Sequence, residues 1–195
     1  RAIRGVYKRQ VLHMLVLTPA VDDTEAQRIS ELMGECREYL IGISIELERR
    51  ALATSEPDQV ARILELAALF THVQMQPQHQ MLALRIAMME ARRVGNLAMA
   101  GHFARRLIEL QPPAKVVQVA QQIVSLSDRQ PRDVVPVPSY SVHETDYVVC
   151  AGSHTLIPAG GANAVLDPLT GAKYLPEFRG TLCKVSGISE VGRFA

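Results

Sequence analysis

Two cysteines and a histidine in the last third of the chain are the residues whose types and spacing could support chemistry. His154 follows Cys150 by four positions, and a thiolate beside an imidazole is the pair that cysteine-dependent enzymes use as nucleophile and base. Closeness along the chain does not by itself bring the two groups within hydrogen-bond reach. The serines of this segment also lack a Gly-x-Ser-x-Gly elbow. The residues therefore favour a protein that is not an enzyme, with a Cys150-based intracellular enzyme as a minor alternative.

The same side chains offer no metal-ligand motif at the level of sequence. The chain has three cysteines, Cys36, Cys150 and Cys183, and six histidines, with no pair of histidines four residues apart on one helix. His72 and His79 flank a predicted turn between helices, and His102 lies on a helix near two arginines, so surface or interface positions account for them. Three scattered cysteines do not make a disulfide framework and fit a reducing cytosol. No cofactor and no metal are predicted.

Charge and composition exclude several classes of partner. The chain holds 21 basic and 20 acidic residues, for a net charge of +1, which gives no overall attraction to nucleic acid or to an anionic membrane. Three arginine pairs begin at Arg49, Arg92 and Arg105, but glutamates interleave with them on the predicted helices. The Gly160-Gly161 segment lacks the lysine of a phosphate-binding loop. Nucleic acid is therefore not a predicted partner, and any association with a membrane is indirect.

Apolar residues recur with helical spacing between residues 24 and 127. The first stripe predicts one long helix, begun by a capping box at Asp22 and Glu25; it comprises Ile29, Leu32, Met33, Cys36, Leu40, Ile43 and Leu47. Before it, the apolar stretch Val11–Val21 contains His13 and ends near Pro19, which predicts a buried helix or strand too short to span a membrane.

Proline and glycine divide the rest of this region into four further helices. Ser55 is a candidate cap for the second helix, the third runs from about Gln78 to Gly95, and the fourth ends before Pro112. The fifth covers residues 114–127. Short connections between amphipathic helices predict antiparallel hairpins, in an irregular bundle or short solenoid.

The pattern changes after Asp128. A segment with three prolines, at Pro131, Pro136 and Pro138, predicts an extended connector. Short β-like runs follow at Tyr147–Cys150, Thr155–Ile157 and Leu182–Ser186, bounded by glycine and proline. The predicted fold is mainly α with a small β-rich tail. Its parts are a helical array (1–128), a connector (129–145) and a tail module (146–195) that either stands alone or packs as one unit with the helices.

Several separated segments resemble the carboxy-terminal domain of the alpha subunit of coatomer, the COPI vesicle coat, in amino-acid sequence and in their order along the chain. They are Val6–Gln27, Cys36–Arg50, Ala67–His72, Asn96–Leu110 and Pro168–Gly192. The resemblance implies that the chain is a fragment of a longer coat protein. It further implies that the chain binds the epsilon subunit of coatomer, a TPR-type superhelix. Its location would be cytoplasmic and peripheral on Golgi membranes and COPI vesicles, in Golgi-to-ER and intra-Golgi transport.

The resemblance also bears on metal binding, because in that family the tail has more cysteines, arranged in a way that invites comparison with a zinc ribbon. Cys150 and Cys183 fit this arrangement, whereas Asp167 and Lys173 stand where further cysteines are expected. A protonated lysine repels a dication, so a four-thiolate site is not predicted. His143 and His154 are the remaining substitutes, but no fixed spacing relates them to the cysteines.

A binding role requires anchor residues, and aromatic and aliphatic side chains are the natural candidates. The six predicted partner-binding residues are Phe70, Tyr147, Leu156, Ile157, Tyr174 and Phe178. The alternative function is a protein-interaction scaffold domain of another helical trafficking protein, with no epsilon-like partner. A further departure from the family is the end of the chain at Ala195, where the family's sequences tend to continue with an apolar segment.

Overall fold

The structure is a computed structural model that describes residues 2–53, 56–142, 148–157 and 163–193, without the side chains of residues 2–6 and 57. The predicted cap Ser55, the predicted anchor Tyr147, His143 and the Gly160-Gly161 segment lie outside this part of the chain. Six helices and four two-residue strands occur within it. A mainly α fold with a small β-rich tail is thereby confirmed.

The helix boundaries follow the prolines and glycines of the sequence. Their bounds are α1 Ala2–Leu17, α2 Asp23–Ala51, α3 Pro57–Phe70, α4 Pro77–Arg93, α5 Leu97–Glu109 and α6 Ala114–Arg129. The long helix and the four that follow it are confirmed. Proline occupies the first turn of α3 and α4, where an amide donor is not needed. Gly95 follows α4 with φ of +85°, a conformation that favours glycine.

The start of α2 has the predicted reciprocal hydrogen bonds. The Glu25 amide donates to Asp22 Oδ1 over 2.7 Å, and Glu25 Oε2 accepts from the Val21 amide at 2.8 Å. Two amides that have no partner within the helix are thus satisfied. This pairing fixes where α2 begins after the turn that ends α1.

The chain divides into two compact units. Unit 1 comprises residues 1–44 and 146–195, and unit 2 comprises residues 45–145. The uninterrupted helix α2 supplies residues to both. None of the helices in the described ranges has the length and hydrophobicity that a membrane span requires.

Unit 2 is the helical array. Consecutive helices α3, α4, α5 and α6 pack against one another as neighbouring pairs, as predicted for helical hairpins. Its core contains Leu64, Leu84, Phe103, Leu107 and Ile123, all 2% exposed or less. A Cβ atom on Gly101 of α5 would lie 2.2 Å from Ser127 Oγ of α6. The glycine therefore permits the close approach of these two helices.

The proline-containing segment after α6 has no helix or strand, with a bend at Val134–Val135 and a turn at Pro138–Ser139, and it is held against the helices of unit 2. Asn96 Nδ2 donates to the Val135 carbonyl at 2.7 Å, and Asn96 Oδ1 accepts from the amides of Val134 and Val135 at 2.9 and 2.8 Å. Tyr140 is buried, and its hydroxyl lies 3.0 Å from His72 Nε2. Burial, with lesser contributions from Arg106 and His102, lowers the pKa of His72 to about 4.

Unit 1 contains α1, α2 as far as Ser44, and the β-rich tail. Strands β1 (Val148–Val149) and β2 (Leu156–Ile157) form one antiparallel pair. Strands β3 (Val165–Leu166) and β4 (Lys173–Tyr174) form another. A short 3-10 helix, Pro176–Phe178, follows β4.

Backbone carbonyls of the tail accept hydrogen bonds from α1 and α2. Arg37 Nη1 of α2 donates to the Thr170 carbonyl over 2.9 Å, and His13 Nε2 of α1 lies 2.5 Å from the Ser186 carbonyl. The tail is therefore tied to the helices of its own unit by polar contacts as well as by the core.

Three sequence predictions about burial and strands are wrong. The Val11–Val21 stretch is helical only to Leu17, and most of it is exposed, with Leu12 alone fully buried. On α2, Leu32 and Leu47 of the predicted stripe are 42% and 56% exposed, and the inward position near Leu47 is Ile45, which is 0% exposed. Residues 182–186 do not form a strand, since only Leu182 bridges to Glu190 and a turn begins at Cys183.

Candidate partner-binding site

In the described part of the tail a five-residue turn occurs three times, at Cys150–His154, Asp167–Gly171 and Cys183–Gly187. In each copy the amide of the fifth residue donates to the carbonyl of the first, at 3.0, 2.9 and 2.8 Å respectively. The fifth residue has a positive φ of 52°, 67° and 74° in the same order. The fourth residue is a serine or threonine in each copy. We call these segments the three tail turns.

The first side chain of each turn accepts a hydrogen bond from an amide inside that turn. Cys150 Sγ accepts from the Gly152 amide at 3.4 Å, and Cys183 Sγ accepts from the Ser186 amide at 3.4 Å. In the second turn, Asp167 Oδ2 accepts from the Thr170 amide at 2.8 Å. Thiol sulfur and carboxylate oxygen therefore fill the same position in equivalent local structures.

Asp167 is the polar centre of the second turn. The residue is 1% exposed. Its Oδ2 also accepts from the Thr170 hydroxyl at 2.5 Å, while Oδ1 accepts from the Ser189 hydroxyl. A buried carboxylate is costly unless donors surround it, and these three donors meet that need. Ser189 Oγ also lies 2.8 Å from Ser186 Oγ, so the second and third turns are connected.

Tyr174 connects the first and third turns. It is 0% exposed, and its hydroxyl accepts from the Lys184 amide at 3.0 Å and lies 3.2 Å from Cys183 Sγ. The Leu175 amide that follows it donates to Cys150 Sγ at 3.3 Å. Burial, reinforced by the hydrogen bond to Cys183, raises the pKa of Tyr174 well above its usual range. The phenol therefore stays protonated and serves as a structural link.

The Cys150 and His154 pair is not arranged as a nucleophile and base. Cys150 is 0% exposed, and its sulfur accepts two backbone amides. His154 Nε2 lies 2.8 Å from Ser44 Oγ of α2, and that hydroxyl donates to the Ile41 carbonyl. The hydroxyl thus accepts from the imidazole, which orients the ring toward α2.

Metal ligands do not gather in the described residues, where no group of three or more His, Cys, Asp or Glu side chains is placed to hold an ion. The Asp167 oxygens bond to hydroxyls and an amide, and Lys173 is exposed on β4. In the part of the tail that is described, hydrogen bonds connect the turns directly.

Phe178 lies on the surface side of this cluster. A Cβ atom on Gly152 would lie 2.6 Å from the Phe178 ring, so only glycine permits the ring to rest on this backbone. Lys184 Nζ lies 5.2 Å from the centre of the same ring and donates to the Gly152 carbonyl at 2.7 Å. Phe178 remains partly exposed in a position fixed from two sides.

Three aliphatic side chains of the tail are exposed to solvent. Leu166, Leu182 and Ile188 are 47%, 63% and 53% exposed, and we call them the tail aliphatic patch. The segments that contain Leu166 and Leu182 are both hydrogen-bonded to residues 191–192. The Gly192 amide donates to the Leu166 carbonyl, and the Val191 amide donates to the carbonyl of Thr181, which precedes Leu182. Exposed aliphatic groups on a hydrogen-bonded frame are suited to burial by another protein.

The six predicted anchor residues fall into three groups. Phe70, Ile157 and Tyr174 are 8%, 4% and 0% exposed and belong to the cores of their units. Leu156 and Phe178 are partly exposed. Tyr147 lies outside the described residues. The anchoring role of all six stays a prediction, and exposure favours Leu156 and Phe178 among them.

Sequence reasoning missed the tail aliphatic patch and the repetition of the turns. The first residues differ in chemistry between copies, and the fifth is histidine once and glycine twice, so simple identity does not reveal the repeat. A search for a thiol or carboxylate followed three residues later by a hydroxyl would have found all three.

A separate groove of about 510 Å³ lies in unit 1 beside the end of α1. Its lining mixes apolar residues of α1 and α2 with polar ones, and Arg37 and the turn at Pro168–Gly171 are part of it. The structure brings none of the described anchor residues to it.

Comparison with known proteins adds a second kind of observation. A family model described as the C-terminus of the coatomer (COPI) alpha subunit matches residues 4–195. Coatomer subunit alpha of Dictyostelium discoideum is 33% identical over 192 residues, which cover 94% of this chain and 15% of that protein.

Two other relatives are similar over the same region. Coatomer subunit alpha-1 of Arabidopsis thaliana is 32% identical over 93% of this chain, and coatomer subunit alpha of Saccharomyces cerevisiae is 30% identical over 94%. This chain spans 14% and 15% of the lengths of those two proteins. The matches therefore concern one region of much longer relatives.

Proposed function

Because this chain belongs to the family of carboxy-terminal domains of coatomer alpha subunits, we propose that it is the part of a COPI coat protein that binds the epsilon subunit of coatomer. The role is one of binding rather than catalysis. The epsilon subunit, a TPR-type superhelix, encloses the β-rich tail, and helices α1 and α2 of unit 1 hold that tail in place.

The tail aliphatic patch is the observation that carries this proposal. Leu166, Leu182 and Ile188 expose apolar surface on backbone that is fixed by the three tail turns. A rigid surface loses little conformational freedom on binding, so more of the contact energy appears as affinity. A stable interface buries about 1,200–2,000 Å² in total, and the tail aliphatic patch, with the partly exposed Leu156 and Phe178, offers apolar side chains to it.

In the cell, this binding places the chain on COPI-coated vesicles and at the Golgi apparatus. The protein acts there as a peripheral coat component in Golgi-to-ER retrograde and intra-Golgi transport. Support for this location comes from membership of the family and from the resemblance of the separated sequence segments.

The test is association of the 195-residue chain with purified recombinant epsilon subunit, measured by isothermal titration calorimetry. We expect a one-to-one complex with a Kd of micromolar or tighter. Leu182→Glu should weaken binding by about tenfold or more, because a carboxylate in an apolar interface centre is desolvated without a partner.

The matched control is Leu82→Glu, which places the same charge at a leucine that is 50% exposed on α4 in unit 2. It should bind as the original chain does. Circular dichroism must show that both variants remain folded. If no complex forms at micromolar concentration, the epsilon proposal fails and a scaffold role with another partner replaces it. Equal loss of binding in both variants would exclude the patch as the contact.

A further inference from the structure

The outer side of α1 and the turn after it expose five large apolar side chains. Tyr7, Val11, Met14, Leu17 and Val21 are 63%, 44%, 70%, 82% and 89% exposed, and we call them the α1 stripe. Single exposed apolar residues are ordinary on protein surfaces. Four of them, at steps of three and four residues, lie on one side of α1, which is the pattern of a helix that packs against another one. Val21 follows in the turn after the helix.

The spacing of the α1 stripe is symmetric about Met14. Tyr7 and Val21 lie seven residues before and after it, and Val11 and Leu17 lie three before and after it. Two copies of this segment placed side by side in opposite directions therefore bring apolar residues to the same levels. Val11 lies level with Leu17 of the second copy, and Met14 meets its own counterpart. A two-fold axis produces this self-complementary arrangement.

The charges beside the α1 stripe select the antiparallel direction. Helix α1 contains Arg4, Lys8 and Arg9 near its start and no acidic residue at all. The segment after it contains Asp22, Asp23 and Glu25. Antiparallel pairing brings the basic end of each copy to the acidic end of the other, whereas parallel pairing would place like charges together.

These groups also make contacts within their own chain. Asp22 Oδ1 and Glu25 Oε2 accept from the Glu25 and Val21 amides at the start of α2. Lys8 Nζ lies 3.5 Å from Glu35 Oε1, and Arg9 Nη2 donates to the Lys184 carbonyl at 3.3 Å. Both side chains are at the surface, where such contacts are weak and allow a second partner.

We propose that the α1 stripe is a contact between two copies of this chain, with two antiparallel α1 helices related by a two-fold axis at Met14. The acidic cluster at the end of the stripe disfavours an anionic membrane as the occupant, because like charges repel. The proposal does not depend on the epsilon subunit, since the α1 stripe and the tail aliphatic patch have no residue in common.

The first test measures the mass of the 195-residue chain by sedimentation equilibrium across concentrations of about 1 to 200 µM, a range suited to a small interface. We expect the mass to rise toward twice the 21.5 kDa of one chain. Met14→Glu should raise the dissociation constant at least about tenfold, because two carboxylates then meet at the axis. Leu82→Glu on α4 is the matched control and should leave dimerisation unchanged.

The second test uses disulfide formation to locate the axis. All three native cysteines are buried, so an introduced surface cysteine reacts alone. Under mild oxidation Met14→Cys should form a covalent dimer much faster than Leu82→Cys, because only residue 14 faces its own counterpart at a distance a disulfide can span.

Four results would overturn the proposal. One is a single-chain mass at every concentration. Another is an unchanged dimer in Met14→Glu, and the third is equal cross-linking rates at positions 14 and 82. Binding of a single chain to anionic lipid vesicles through the α1 stripe would assign that surface to a membrane instead. Loss of epsilon binding with the dimer intact would affect only the proposed function.

Discussion

Asp167 and the two cysteines Cys150 and Cys183 begin equivalent turns with different chemistry. A thiol accepts amide hydrogen bonds weakly at 3.4 Å, whereas the carboxylate accepts from the Thr170 amide at 2.8 Å and from two hydroxyls. Hydrogen bonds to a charged acceptor are shorter and stronger than those to a neutral one. The carboxylate can therefore connect two turns, by way of Thr170 and Ser189.

At this residue we expect Asp167→Asn to destabilise the protein by about 1–3 kcal/mol. The amide group presents two donors where the carboxylate only accepted, so at least one hydroxyl or amide contact is lost in a buried site. Urea unfolding followed by circular dichroism measures the change. Asp128→Asn is the control, because Asp128 is a solvent-exposed carboxylate whose side chain is 59% exposed, and its replacement should alter stability by less than about 0.5 kcal/mol. Equal effects at the two positions would contradict the role assigned to Asp167.

At the scale of elements, α5 and α6 approach closely where Gly101 meets Ser127. Alanine has a higher helix propensity than glycine by about 1 kcal/mol, so Gly101→Ala would stabilise an exposed helix. Here its Cβ atom would lie 2.2 Å from Ser127 Oγ and 2.4 Å from Ser127 Cβ. The helices must separate to admit it, and core contacts between them are lost.

We therefore expect Gly101→Ala to lower stability by about 1–3 kcal/mol. The double variant with Ser127→Gly should recover part of this loss, because it removes both atoms that clash. A double-mutant cycle from thermal unfolding gives the coupling between the two positions. Strictly additive effects would show that the two residues do not limit the approach of the helices.

Helices α2 to α6 could be predicted from sequence, whereas Val11–Val21 allowed either a helix or a strand and the details of the tail could not be predicted. Helix ends are marked by proline at positions 57, 77 and 112 and by glycine at position 95. The steric effect of these residues is local, so it can be predicted from the sequence alone. Strands β3 and β4 have two residues each, too few to show alternation. Leu182–Ser186 has apolar residues typical of a strand, but Cys183 and Ser186 form side-chain bonds that close a turn instead. At Val11–Val21, hydrophobicity predicted burial, and only contacts could show which face lies outward.

For the whole molecule, we expect that removal of metal ions leaves the protein unchanged. Incubation with EDTA should leave the Tm within about 1 °C of its original value, because hydrogen bonds connect the described tail turns. Elemental analysis of the purified chain provides an independent measurement. A bound equivalent of zinc, or a marked fall in Tm after chelation, would contradict this prediction.

Unit 1 is built from residues 1–44 and 146–195, and α2 continues from it into unit 2 without a break. No single cut therefore releases either unit as a continuous piece of chain. A truncation after Ser44 would end a helix in mid-course beside Ile45, which is 0% exposed. Transplanting residues 146–195 into a fusion protein would leave behind Leu12, Cys36 and Leu40, which complete the core of the same unit. Fragment libraries and split-reporter designs should therefore keep the chain whole and insert tags at the turn before α4, in exposed residues of the 74–76 segment.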